Sequence, residues 1–366
     1  MSNKTENTNS FMCPSCGLEM AYDAQSGKVK CRHCGAEEAI CAKGEKEDVD
    51  FSMIESDATL QDWGFPVKVV RCTGCNAKLV VAADTTLMSC PLCASSQIAE
   101  TGESPGIRPD AVIPFKIDVN NAAARFTRWI RRLWLAPFSL KKEYTAGALT
   151  GVYVPYWSFD AKTKTIYSGQ AGDYYRETEQ DTHTENGKTE ARPKSVKKLR
   201  WRFVSGAYDK AFNGIIYSDS KELSEEVIKN IEPYKLNELA KFAPKYLEGF
   251  AAQRYGSGPK AAWGRVKAFM AGEIFEDVRD IVKRGSDAVG AINLCPEYTD
   301  IRYKLMLLPV WMSSYRYKNK VYSFYINGQT GEITGRSPKS ALKIFIITLV
   351  ALAVLAALYF ILLYKK

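Results

Sequence analysis

The sequence predicts a multidomain chain: two small four-cysteine zinc ribbons built of β-strands, an α+β domain, and a C-terminal single transmembrane helix. Three observations carry that prediction. Eight of the ten cysteines fall into four C-x-x-C pairs. Strand-like segments flank a helical block between residues 110 and 338. The 21 residues from Ile344 to Tyr364 contain no charge, no Gly and no Pro.

The ribbons come first. Cys13, Cys16, Cys31 and Cys34 form C-x2-C-x14-C-x2-C, and Cys72, Cys75, Cys90 and Cys93 repeat that frame 59 residues later. The repetition reads as an internal duplication. A C-x-x-C turn presents two thiolates together, and two such turns close a tetrahedral four-sulfur shell around Zn2+. Such a shell has no open position for chemistry, so both ions are expected to be structural; iron suits the same ligands and stays open as the metal. The stretch EMAYDAQSGKVK reads as a β-hairpin turning at Ser26-Gly27. Gly17 and Gly35 follow the cysteine pairs of the first copy, where glycine tolerates a left-handed turn. Asn76 and Ala94 take those places in the second, and Ala94 fits poorly, so more strain is expected there. His33 is read as a bystander, and the unpaired Cys41 and Cys295 as ordinary small residues. The ribbons are assigned to 1–45 and 67–100, with polar linkers at 46–66 and 101–109.

The α+β domain is assigned to 110–338. VIPFKID reads as a short strand, and Asn120-Asn121 as the cap of the helix NAAARFTRWIRRLWLA. That helix sets Phe126, Trp129, Ile130, Leu133 and Trp134 on one side and four arginines on another. A core-facing aromatic stripe with solvated charges is the expected role, with lipid headgroups or phosphates as the alternative. LTGVYVPYWSFDA and TKTIYSGQAGDYY alternate as a hairpin or meander. Residues 176–192 are polar throughout and read as a long exposed loop. In KKLRWRFVSG, alternation separates Lys198, Arg200 and Arg202 from Leu199, Trp201 and Phe203. Residues 222–284 have helical spacing broken near Pro233, Pro244 and GSGP. Strands return in YTDIRYKLMLLPVWMSSYRY and KVYSFYINGQTGEITG, with Asn327-Gly328 and Thr330-Gly331 as turn residues.

The tail is long enough to cross a bilayer, which takes roughly 20 apolar residues. Arg336, Lys339 and Lys343 precede it and Lys365 and Lys366 follow. The positive-inside rule, and more strongly the reduced thiolates, place the preceding domains in the cytoplasm at the inner face of a cell membrane. The first ten residues are polar and hold no signal peptide. With two residues after the span, insertion is expected to follow synthesis of the chain.

These features resemble a bacterial family of membrane-tethered double zinc-ribbon proteins often mislabelled as primosomal helicase-like. The residues that carry the resemblance are the paired C-x-x-C sites, VIPFKI, GVYVPYWSFD, LLPVWMSSYRYKNKVYSFYINGQTGEITGRSP and the closing apolar helix. It spans most of the chain. The resemblance implies association with flotillin-like SPFH and TPM-domain proteins, sometimes with a PspA-like protein, in an envelope-stress system. It transfers no catalytic residue.

The helicase label fails on the residues. Unwinding driven by ATP needs G-x-x-x-x-G-K-[ST], and the nearest stretch, YGSGPKAAW, lacks both the spacing and the hydroxyl after Lys260. With only His33 and His183 in the chain and no pointed pair of carboxylates, no enzyme is expected. The expected function is a membrane-anchored adaptor or scaffold that recruits a protein partner. A membrane-tethered zinc-ribbon protein that binds nucleic acid is the alternative, to which the net charge of +9 and the basic aromatic stretches lend support.

Overall fold

The first cysteine unit contributes β1 (Met20–Asp23), β2 (Lys28–Cys31) and β3 (Glu37–Glu38), a separate three-stranded antiparallel sheet. The computed structural model describes residues 12–40, 49–50, 63–93, 95–140, 145–146, 149–185, 188–218, 220, 223–318 and 320–364. After β4 (Val49–Asp50) the second cysteine unit supplies β5 (Val67–Cys72), β6 (Lys78–Ala82) and β7 (Ile98–Thr101). The body follows with β8 (Ala111–Val112), α1 (Val119–Arg132), β9 (Thr145–Ala146), β10 (Thr150–Glu185) and β11 (Lys188–Ser218). It continues through α2 (Glu225–Ile231), β12 (Ala240–Lys241), β13 (Ala251–Gln253) and α3 (Pro259–Arg284). β14 (Ala288–Tyr317), β15 (Lys320–Asn327), β16 (Ile333–Gly335) and α4 (Ala341–Tyr364) complete the chain.

The sequence reading is corrected in four places. The polar stretch 176–192 is not a loop: its described residues are antiparallel strand, with Arg176 opposite Lys197 and Asp181 opposite Arg192. GVYVPYWSFD and TIYSGQAGDYY are not two arms of a hairpin but one strand, β10. The cap of α1 is Asp118, whose carboxylate accepts the Asn121 amide at 2.8 Å, because its extended backbone points the side chain at the helix's free N–H groups. The helical block 222–284 is mostly short pieces; only α3 runs long. In the linker 46–66, Val49–Asp50 pairs with β14, and the rest up to residue 62 lies outside the described residues.

Thirteen strands form one mixed sheet. Its centre is β14 against β10, antiparallel from Thr150↔Met312 to Gly172↔Ala288. β13 lies parallel to β10 and antiparallel to β6, which joins the second cysteine unit to the body's sheet. The connector 101–109 is correspondingly packed: Trp63 Nε1 donates to the Gly106 carbonyl, Ile107 N–H donates to Tyr255, and Lys78 pairs with Glu103. β15 and β16 close the turn foreseen at Asn327-Gly331, where the Gly331 N–H donates to the Asn327 carbonyl.

All three long strands are irregular at one level. Asp160 sits where the register slips against both neighbours, Gly214 opposite it has φ +66°, and Asp300 in β14 has φ +51°. Asp160 accepts the Gly214 N–H, and Lys162 donates to Asp300 at 2.6 Å. Bulges at one height in adjacent strands bend the sheet as a unit. Below the bend Tyr153, Tyr156 and Trp157 lie in the core; above it the strands form an arm.

α3 covers the lower arm. Its buried residues Ala262, Val266, Met270, Ile274, Val278 and Val282 recur every fourth position. At 3.6 residues per turn each step advances about 40° around the helix. The apolar stripe therefore winds, and a twisted ribbon can follow it where a flat sheet cannot. Beyond the Gly172↔Ala288 pair β14 ends, and β10 and β11 continue alone for roughly 40 Å of strand, at about 3.3 Å per residue.

Candidate metal centres

Each centre is built from two C-x-x-C turns of one design. The amide of the first cysteine in every pair donates to the carbonyl five residues on: Cys13 to Leu18, Cys31 to Ala36, Cys72 to Ala77 and Cys90 to Ser95, at 2.7 to 2.9 Å. Closing the chain back on itself points both side chains inward. Gly17, Gly35 and Asn76 occupy the left-handed region this turn requires, with φ of +70°, +75° and +61°. Ala94, where strain was expected, lies outside the described residues.

All eight predicted residues are brought together as two sets of four, the four sulfurs of each set within 4.8 Å of one another. Cys13 and Cys34 are 3.4 Å apart at Sγ, Cys16 and Cys31 3.5 Å, Cys72 and Cys93 3.5 Å, and Cys75 and Cys90 3.7 Å. A disulfide would hold its sulfurs at about 2.05 Å. Four thiolates at about 2.3 Å from a central ion stand roughly 3.8 Å apart along the tetrahedron's edges. The sulfurs match the second arrangement. In both sets the first cysteine of each pair is buried and the second is more exposed.

The electrostatics suit a cation. Burial pushes the Cys13 thiol up, but the amides of Ser15 and Cys16 and the neighbouring thiols outweigh it and hold it down to about 6. Cys16 is lowered by the Leu18 amide, yet burial and three thiol neighbours push it up to about 12. Cys72 and Cys75 divide likewise, to about 7 and about 11. Four thiols this close cannot all ionise beside one another; a dication at the centre removes the conflict and displaces the protons. The donor sets fit a four-thiolate metal ion.

The two copies share spacing but not topology. In the first, the hairpin β1–β2 spans the interval between the pairs, turning at Gly27 as expected. In the second, β6 leaves the first pair to join β5 and β13, and no strand leads into Cys90. The first unit instead docks by side chains. Tyr22 donates to the Phe115 carbonyl and meets Tyr246 edge-on at 5.7 Å, Gln25 donates to Asp118 at 2.6 Å, and Lys245 pairs with Glu38.

Between that unit and the body lies a cleft of about 350 Å³ lined by Tyr22, Arg32, Asp118, Glu248, Phe250 and Trp311 among others. Both carboxylate oxygens of Glu248 are buried without a hydrogen-bond partner among the described residues. Burial and the nearby Glu19 push its pKa up to about 8. No sequence pattern marks this residue, because its burial depends on two units meeting. His33 is exposed and belongs to neither cluster, and Cys295 is free and exposed; Cys41 lies outside the described residues.

α4 is long and apolar enough to cross a membrane, and from Ile344 to Leu358 every residue is exposed. No family model matches the chain, and no solved structure matches it. The chain is similar to the uncharacterized protein YdjG of Bacillus subtilis strain 168, with 28% identity over 343 residues that cover 92% of each chain.

Proposed function

We propose that the protein is a single-pass membrane-anchored adaptor: two structural Zn2+ ions hold its head, α4 fixes the head to the inner face of a cell membrane, and the head recruits a protein partner. The observation that carries the reading is the exposure of α4 along its apolar run while its base is bonded to the body. Lys343 donates to the Trp134 and Ala136 carbonyls at 2.8 and 2.7 Å, and the Ser340 amide donates to Leu135. A helix so tethered sets where the rest of the molecule works. Closed four-thiolate sites offer no open coordination position, so we assign both metal centres a structural role.

The partner classes that follow from the family resemblance are flotillin-like SPFH and TPM-domain proteins. The two-stranded arm is the surface we assign to a partner, since Phe203 is 87% exposed and Trp201 46%. The competing reading, nucleic-acid binding, would use the same arm. Four of its basic residues, however, are already engaged: Lys198 by Glu177 and Glu179, Arg202 by Asp173, and Arg200 and Lys197 over the rings of Tyr175 and Tyr174. The ion-paired charges of Lys198 and Arg202 release few counterions from a phosphate backbone.

Purification of the tagged chain from its native membrane in mild detergent tests the proposal. The account expects a stoichiometric membrane-associated protein, lost when Cys13 and Cys72 are both replaced by Ala. Recovery of nucleic acid in its place would favour the competing reading.

A further inference from the structure

α1 ends at Arg132, and the chain then makes a series of tight turns through Leu140. The inner side of this loop is fixed. Ala136 and Leu140 are buried, and Ser139 Oγ lies 2.5 Å from the Tyr317 hydroxyl. Its outer side carries Trp134 and Phe138, which are 67% and 76% exposed. Large rings held outward by a buried loop are costly in water, at about 25 cal/mol per Å² of apolar surface.

The position of the loop explains what covers those rings. It is bonded to Ser340, just before α4, and to Lys343 in the first turn of α4, and the Lys343 ammonium stands 3.9 Å over the Phe138 ring. The uncharged run begins at the next residue, Ile344. Trp134 and Phe138 thus lie at the height where a membrane helix passes from water to hydrocarbon, the zone that aromatic rings favour. The exposed basic side chains around them share one sign: Arg128 and Arg132 on α1, and Arg336 and Lys339 before α4. From Val119 to Leu140 there is no acidic residue, and none from Ile333 to Lys343.

We propose that the loop 133–140 is a bilayer contact, with Trp134 and Phe138 seated among lipid headgroups and Arg128, Arg132 and Lys339 facing anionic lipid phosphates. The inference rests on reading α4 as a membrane span. It adds that the head is held against the bilayer at a second place, so its orientation is fixed as well as its location.

The test uses the full chain with the photoreactive residue p-benzoylphenylalanine at Phe138 or, separately, at Trp134. The protein is reconstituted into vesicles of phosphatidylcholine mixed with phosphatidylglycerol, washed at alkaline pH, irradiated and analysed by mass spectrometry. Both side chains are exposed, so neither replacement removes core packing. Expected are lipid adducts at both positions and none at Phe203 on the arm. Phosphatidylglycerol adducts should exceed that lipid's share several-fold, and R128E/R132E should abolish the excess. Protein retained after the wash but without lipid adducts at either position would overturn the inference while leaving α4 as a span. Adducts in proportion to the lipid mixture would overturn the anionic contact. Loss of the chain in the wash would overturn the reading of α4 and this inference with it.

Discussion

At the scale of residues, the four C-x-x-C pairs were fully legible, because a closed metal shell imposes spacing on the chain and spacing is visible without structure. Each set is self-contained, so replacing Cys72 by Ser should lower the bound metal from two ions per chain to one, read by elemental analysis of purified protein. Glu248 was invisible in the sequence, and it carries a pH prediction. Its folded pKa of about 8 stands above the ordinary value of 4.5, so folding favours the protonated form. Stability from this group is fully present below about pH 4.5 and is lost as pH rises through about 8. Glu19, Glu38 and Asp84 reinforce the shift and Lys245 opposes it. Glu248→Gln should therefore raise the melting temperature above pH 8, by on the order of 1–4 kcal/mol of stability, with little effect below pH 4.5. Equal melting of the two proteins at high pH would show that the carboxylate is already paired or solvated.

At the scale of elements, alternation predicted strands where one face is buried and failed where neither is. RETEQDTHTENGKTEAR carries no apolar stripe, and among the described residues no third strand pairs with the β10–β11 ribbon beyond Gly172. Its ladder is held by cross-strand pairs such as Lys198 with Glu177, which polar composition alone does not announce. Trp201 closes over Gly172 and Gly290, where a Cβ would come within 3.0 and 3.1 Å of its ring. The lower arm, by contrast, depends on α3. Met270→Ala should cost about 2–5 kcal/mol in chemical denaturation, because Met270 is fully buried at the centre of the winding stripe. Excising Glu177–Val196 and joining Arg176 to Lys197 through Asn-Gly should leave the melting temperature nearly unchanged, since the described pairing of the removed ribbon is between β10 and β11 alone. A large loss of stability on excision would show instead that the arm supports the fold. If the exposed ring of Phe203, which the excision leaves in place, belongs to the partner surface, Phe203→Ser should abolish co-purification.

At the scale of the whole molecule, the sequence separated the parts more cleanly than the structure does. The second cysteine unit is continuous with the body's sheet through β6 and β13, and the first is packed on it through Tyr22. Linker-like composition hid these contacts, because they are made by a few side chains and short strands. One consequence concerns chelation: metal removal should loosen β5–β7 and expose the edge of β13, so cleavage by protease should spread from residues 63–101 into the body. Confinement of cleavage to residues 12–40 would show that the second unit is held by its sheet pairing without metal. On the proposed function, α4 decides where the head meets its partner. The direct measurement is to quantify, by mass spectrometry of membrane and soluble fractions, the proteins captured by the full chain and by a chain truncated after Ser340. Expected is the same protein partner with both, the full chain staying in the membrane fraction through an alkaline wash and the truncated chain being washed into the soluble fraction. A truncated chain that resists the wash as the full chain does, or a full chain that captures nucleic acid and no protein, would overturn that reading.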